Sequence, residues 1–187
     1  MEIQKVNTLE IQSKLCDRLE DSGWKAKLKT FVLSEDFKRI LDHLLEERQN
    51  GKHFTPKIKQ LFRAFEECPY NNLKVVFVGQ DPYSTLFNGI NAADGIAFSC
   101  SNTGTVQPSL KYMFQEIEKQ IYPEGGYSWD PDLKRWANQG VLLLNSALTV
   151  QVGKTGTHYE IWKNFVIFVL DHLNWFWPGM IYVFLGR

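Results

Sequence analysis

Two uninterrupted apolar runs, Val75-Val76-Phe77-Val78 and Val141-Leu142-Leu143-Leu144, constrain the fold of this chain more than any other feature. Neither alternates polar with apolar residues, so a strand made from either must be covered on both faces. That is the pattern of a mainly parallel sheet flanked by helices. Each run stops abruptly on polar residues, the first at Gly79-Gln80-Asp81-Pro82-Tyr83 and the second at Asn145. In an open α/β sheet, ligands bind in the crevice outside the carboxyl ends of the strands. Gln80, Asp81, Tyr83 and Asn145 therefore converge, from distant parts of the sequence, on one edge.

The segments between these runs read as helices. Ser34 is placed to cap a helix whose first turn carries Glu35 and Asp36, with Phe37, Ile40, Leu41, Leu44 and Leu45 on one face and Asn50-Gly51 at its end. Thr55-Pro56 predicts the start of a second helix carrying Ile58, Leu61, Phe62 and Phe65. Pro108-Ser109 opens a third and Asp130-Pro131 a shorter one, and residues 159–173 form the last, with Trp162, Phe165, Val166, Val169 and Leu170 inward. Gly95-Ile96-Ala97-Phe98-Ser99 and residues 180–185 read as two further strands. The expected architecture is a single α/β domain over 1–187: a central, mainly parallel sheet of about four strands with helices on both faces. The last strand reaches the final residues with no helix to cover it, which predicts that a C-terminal segment of the domain is missing.

Lys plus Arg and Asp plus Glu both number 21 among 187 residues, so the net charge is zero and no overall basic footprint for nucleic acid exists. Cys16, Cys68 and Cys100 are scattered, without the spacing of a zinc site or a disulfide framework, which suits a reducing compartment. The start Met1-Glu2-Ile3-Gln4-Lys5 has no apolar signal core, and Asp171, His172, Asn174 and Pro178 interrupt the most apolar stretch. These features predict a cytoplasmic chain, or a nuclear one in a host with a nucleus, that does not enter a membrane.

Taken residue by residue, the polar edge keeps two readings open. Pro82 biases Asp81 toward an extended conformation, so its carboxylate either orients a water or merely forms an Asp-Pro turn. Tyr83 and Phe98 line a flat aromatic slot or pack in the core. Asn145 reads a planar ligand or caps the next turn. Ser99, Ser101, Pro108 and Ser109 lie in polar segments that could hold phosphates or cap a helix. His43 and His172 fall within helical patterns as structural or solvated groups, while His158 is open.

Together, these blocks resemble the common uracil-DNA glycosylase family. Residues 79–83 look like its G-Q-D-P-Y-H motif, 94–99 like its G-L-A-F-S block, 107–110 like its Pro/Ser phosphate-contacting loop, and 136–145 like its W-A-x-Q-G-V-L-L-L-N block. The similarity runs from about residue 24 onward, leaving 1–23 as an N-terminal extension. Two features depart from the family: Ser84 stands where its His follows D-P-Y, and the late H-P-S-P-L-S block, source of a second His and a wedging Leu, has no counterpart here.

The resemblance implies a hydrolase that flips deoxyuridine out of DNA, breaks its N-glycosidic bond, leaves an abasic site and so starts base-excision repair. Asp81 would be the catalytic residue, orienting water and facing positive charge on the sugar. Phe98 would stack on uracil, Asn145 would pair with its polar edge, Tyr83 would exclude a C5 methyl, and the backbone around Gln80 would hold its oxygens. Ser84, Pro108 and Ser109 would contact DNA phosphates. No metal or organic cofactor is implied, and the partner is uracil-containing DNA, single- or double-stranded, bound by a monomer. The alternative is a catalytically impaired DNA- or protein-binding module of the same fold.

Overall fold

The computed structural model of the protein describes residues 7–186, so the polar start at Met1–Lys5 and the final Arg187 lie outside the described residues. Helices α1 (Thr8–Asp17), α2 (Lys25–Val32) and α3 (Glu35–Gln49) come first, then strand β1 (Phe54–Thr55) and the one-turn helix α4 (Arg63–Glu66). Strand β2 (Val75–Gly79) precedes a hairpin of β3 (Leu86–Phe87) and β4 (Ile90–Asn91). Helices α5 (Pro108–Ile121) and α6 (Lys134–Ala137) lead to β5 (Val141–Asn145) and β6 (Val150–Gln151). Helix α7 (Tyr159–Phe176) and strand β7 (Ile181–Phe184) complete the order.

The two apolar runs form the heart of a three-stranded parallel sheet in the order β5-β2-β7. Its central strand, β2, pairs in register with β5 so that Val75 lies beside Val141 and Gly79 beside Asn145. The chain leaves β2 for β5 on one side and returns through α7 to β7 on the other, which opens a crevice at the carboxyl ends of the strands. The α/β class with a parallel sheet thus holds. Helix α3 begins as the sequence predicts: the Ser34 hydroxyl accepts the Phe37 N–H at 3.3 Å, and Phe37, Ile40, Leu41 and Leu44 are buried. Phe62 stacks between Phe37 and Phe165, with centroids 5.5 and 5.6 Å away, and so joins α3 to α7. Part of the chain's aromatic content, 14% of its residues, is therefore core. At the sheet edge, Ile181 and Phe184 of β7 remain 63% and 68% exposed. No helix among the described residues is long and apolar enough to cross a membrane.

Two expected elements are replaced. Residues 95–99 form a tight turn rather than a fourth strand of the main sheet. The fully buried Asp94 carboxylate accepts the N–H groups of Ile96 (3.1 Å) and Ser101 (2.9 Å) and the hydroxyls of Ser99 and Ser101 (2.6 Å each). Such side-chain-to-backbone bonds compete with a sheet ladder. Gly95, at φ +99°, passes so close to the Gln60 carbonyl that a Cβ would fall 1.9 Å from its oxygen. The helix expected from Thr55-Pro56 is likewise absent. Thr55 pairs with Val150 in an antiparallel ladder of β1 and β6, leaving a 3₁₀ turn at Ile58–Gln60 and then α4. The β3–β4 hairpin was not foreseen, although Asn88-Gly89 is a typical two-residue turn with both φ angles positive, +49° and +77°. The stretch set apart as 1–23 includes α1, which buries Leu15 and Cys16 and holds Gln12 against the Val32 and Ser34 carbonyls.

Candidate active site

A cleft of about 590 Å³ opens at the carboxyl end of β2, lined in part by Gln80, Asp81, Tyr83, Ser84, Phe98 and Ser109. Pro108, the first residue of α5, is exposed and outside this lining. Asn145 sits just behind, in an enclosed space of only about 10 Å³ that shares Pro82, Tyr83 and Phe98 with the cleft. Of the residues to which the resemblance assigns a role, all but Pro108 are thus gathered at one edge, whereas Ser101 is engaged by Asp94 and Arg63.

Gly79 explains how Phe98 and Asn145 meet. A Cβ there would lie 2.6 Å from Asn145 Oδ1 and 3.1 Å from Phe98 Cζ, so only a glycine lets both side chains close over the end of β2. Phe98 itself has φ +66°, a costly conformation for a bulky residue, held by the bonds around Asp94. Arg63 locks that turn from outside, pairing with Asp94 at 2.7 Å and with Asp132 at 2.7 Å. Among the described residues the Asn145 amide makes no hydrogen bond, so its donor and acceptor are both free to read a partner.

Asp81 is oriented from the far side of the chain. Its Oδ2 accepts the Gly156 N–H at 2.6 Å, whereas Oδ1 is buried and makes no hydrogen bond within the protein. The loop that supplies Gly156 is pinned to the motif a second time, where Gly153 N–H donates to the Ser84 carbonyl at 2.9 Å. Tyr83 shares a hydrogen bond of 3.0 Å between its hydroxyl and that of Ser109, and burial pushes its phenol up to about 12. It is therefore neutral at physiological pH and presents an apolar ring edge with a fixed tip.

Sequence reasoning missed three contributors. Arg63 gave no signal, and Asp94 stood out only as the first residue of the 94–99 block. Tyr159 looked like a helix-start residue, yet its ring lies against Gly156, where a Cβ would be 3.4 Å from the ring. Its buried hydroxyl makes no well-formed hydrogen bond, but it lies close to Asp81 and Gln80, and burial, then the charge and hydrogen-bonding pull of Asp81, raise its phenol pKa. The only signal in the sequence was an aromatic three residues after a glycine in a polar loop.

His158, left open by the sequence, is buried in a saturated network. Its Nε2 meets Glu47 Oε2 at 2.9 Å and its Nδ1 meets the Thr149 hydroxyl at 2.7 Å, which also accepts the Trp162 indole N–H at 2.7 Å. The Gln151 amide donates to the other Glu47 oxygen. Burial pushes the imidazole below its ordinary 6.5, outweighing the attraction of Glu47. Burial also opposes the charge on Glu47, but the Gln151 and His158 bonds prevail and hold its pKa below the usual carboxylate value. The folded protein thus takes up these protons at lower pH than the unfolded chain does. The contribution of His158 is complete above pH 6.5 and drains away as the pH falls below it, with Glu47 following below 4.5. Melting temperature is expected to fall between about pH 7 and about pH 5, and His158→Asn to be less stable throughout but with a shallower pH dependence. An identical slope in the variant would remove His158 from this role.

Comparison with known proteins follows the same blocks. Residues 65–187 match the family model described as the uracil DNA glycosylase superfamily. Uracil-DNA glycosylase of Acinetobacter baumannii (strain SDF) is 38% identical over 169 residues, covering 89% of this chain and 68% of the relative. That of Borreliella burgdorferi (strain ZS7) is 38% identical over 177 residues, covering 91% and 74% respectively. The crystal structure of mimivirus uracil-DNA glycosylase superposes with a TM-score of 0.81 at 24% identity, covering 95% of this chain and 64% of that one, a likeness of fold. The chain therefore spans about two thirds of the length of these proteins, and it belongs to the uracil DNA glycosylase superfamily.

Proposed function

We propose that this chain hydrolyses the N-glycosidic bond of deoxyuridine in DNA, releasing uracil and leaving an abasic site, as a monomer acting on single- or double-stranded substrate. The observation that carries this reading is the state of Asp81. One oxygen is fixed by the Gly156 N–H and the other is enclosed without a hydrogen-bond partner in the protein, in a residue that lines a cleft with Tyr83 and Phe98. A carboxylate so placed keeps acceptor capacity to spare for the attacking water and can face the positive charge that grows on the sugar as the bond breaks.

The target base, turned out of the stack, lies against Phe98. The Asn145 amide donates to the O4 edge and accepts from N3–H, and the Tyr83 ring stands where a C5 methyl would need space. The backbone at Gln80 supports the base oxygens, while Ser84, Pro108 and Ser109 face the flanking phosphates. The test is uracil release from a single-stranded, uracil-containing oligonucleotide. Binding without release would favour a non-catalytic module instead.

Ser84 supplies no imidazole, and Tyr159 has its hydroxyl close enough to Asp81 for the two to interact. We infer that its hydroxyl donates toward Asp81 and steadies the carboxylate that holds the water. A hydrogen bond to a charged group contributes about 1.5–3 kcal/mol. Tyr159→Phe should therefore slow single-turnover release at least about tenfold with KM unchanged. In an Asp81→Asn background the same change should cost nothing more. A rise in KM alone, or full additivity, would reduce Tyr159 to packing.

A further inference from the structure

The zero net charge of the chain conceals a local imbalance. A second cavity, of about 570 Å³, lies between the end of α3, β1 and the β3–β4 hairpin, and its lining carries Arg48, Lys52, His53, Lys57 and Lys59 but no Asp or Glu. All five side chains are exposed. Lys52 has Glu47 within reach, at 3.6 Å. Among the described residues, Arg48, Lys57 and Lys59 have no carboxylate partner. Like charges gathered in a groove repel one another, and a polyanion laid along it relieves the repulsion and releases its own counterions.

This groove continues the cleft. Ser84 and Thr85 line the cleft and the next residue, Leu86, lines the groove. On the facing loop Thr155 lines the cleft and Val152 the groove. The Gly153–Ser84 bond of 2.9 Å ties the two walls together where one passes into the other.

We propose that this groove holds the sugar–phosphate backbone of the DNA strand flanking the nucleotide in the cleft, an inference that rests on the glycosylase reading for what the cleft contains. A nucleic-acid strand fits better than an acidic protein segment, because its charges repeat at every nucleotide and its path is set by the cleft.

The experiment is equilibrium binding, by fluorescence anisotropy, of a labelled, uracil-free single strand to the purified chain over a series of salt concentrations. Because no base is released, the result is independent of catalysis, and uracil release measured separately reports on the glycosylase reading. Each phosphate neutralised contributes about 0.7 to the slope of log affinity against log salt for single strands. The variant R48E/K57E/K59E should therefore show a slope shallower by about two. Three reversals outside the groove, at Lys29, Lys119 and Lys134, control for net charge and should leave the slope near that of the parent. Melting temperatures establish that each variant is folded. An unchanged slope in the groove variant overturns the proposal, whether or not uracil is released. Equal loss in groove and control variants overturns it too, by assigning binding to net charge alone. Loss of poly-glutamate binding with DNA binding intact would overturn it in favour of an acidic protein partner.

Discussion

Asp81→Asn is expected to lower uracil release by about 10³-fold or more while leaving the melting temperature essentially unchanged. General acid–base and electrostatic contributions of a single placed group run to about 10²–10⁴-fold, and 10³-fold corresponds to about 4 kcal/mol of barrier. The amide keeps the shape of the carboxylate and, through its oxygen, can still accept the Gly156 N–H that now sits 2.6 Å from Asp81 Oδ2. What it loses is the charge and one acceptor, the oxygen that is buried without a partner. Because that oxygen makes no well-formed hydrogen bond in the protein, its replacement removes little on which folding depends. Rate and stability should separate cleanly. Release at the parental rate by a folded Asp81→Asn protein would remove Asp81 from the chemistry. A collapse in melting temperature would instead recast it as a structural turn residue.

Asn145→Asp should change which base is released. Uracil presents an O4 acceptor and an N3–H donor, and the amide matches both. An ionised carboxylate is acceptor-only, so it cannot donate to O4 but can accept from the exocyclic N4 amine of cytosine. A site built to hydrogen-bond a particular group rejects the wrong one by about 10⁴–10⁵-fold, because a mismatch leaves buried groups unpaired. Uracil release should fall steeply, and the uracil-to-cytosine ratio should drop by several orders of magnitude. The readout is release from paired oligonucleotides that differ only at the target base. An unchanged ratio would mean that the amide, although it closes over Gly79, does not read the base. The close approach of Asn145 to Gly79 also makes the position sensitive to volume, and Asp, nearly isosteric with Asn, tests chemistry rather than space.

Much of the scaffold was legible in the sequence because its signals are local and redundant. The apolar runs 75–78 and 141–144 carry no polar residue that could face water, so strands buried on both faces were the available outcome, and both form. Helix α3 combined a cap, an acidic first turn and a continuous apolar face, and it begins and ends where those signals lie. The two misreadings share a cause. Gly95–Ser99 has the composition of a short strand, but the Asp94 carboxylate, one residue earlier, satisfies its backbone from within. Thr55-Pro56 has the composition of a helix start, but Val150, distant in sequence, claims Thr55 for a strand. In both cases a partner outside the local window decided the conformation.

The candidate site divides along the same line. Gln80, Asp81, Tyr83, Ser84, Phe98, Ser109 and Asn145 were legible because they follow strand ends or sit in recognisable blocks, and the family follows from those blocks. The residues that position them were not legible. Arg63 and Asp94 form the 2.7 Å pair that holds Phe98 in its left-handed turn, and Glu47 and His158 hold the loop whose Gly156 grips Asp81. Tyr159 was equally invisible, and so was the basic groove, because a sequence that sums to zero charge does not reveal which charges share a wall. The chain by itself determined which segments must be buried and which chemical groups stand at the strand ends, since hydrophobic periodicity and turn chemistry act over a few residues. Only the tertiary structure decided how Asp81 is aimed, what closes over Gly79 and where positive charge collects. Those outcomes depend on contacts between residues far apart in sequence, such as the hydrogen bond from Gly156 to Asp81.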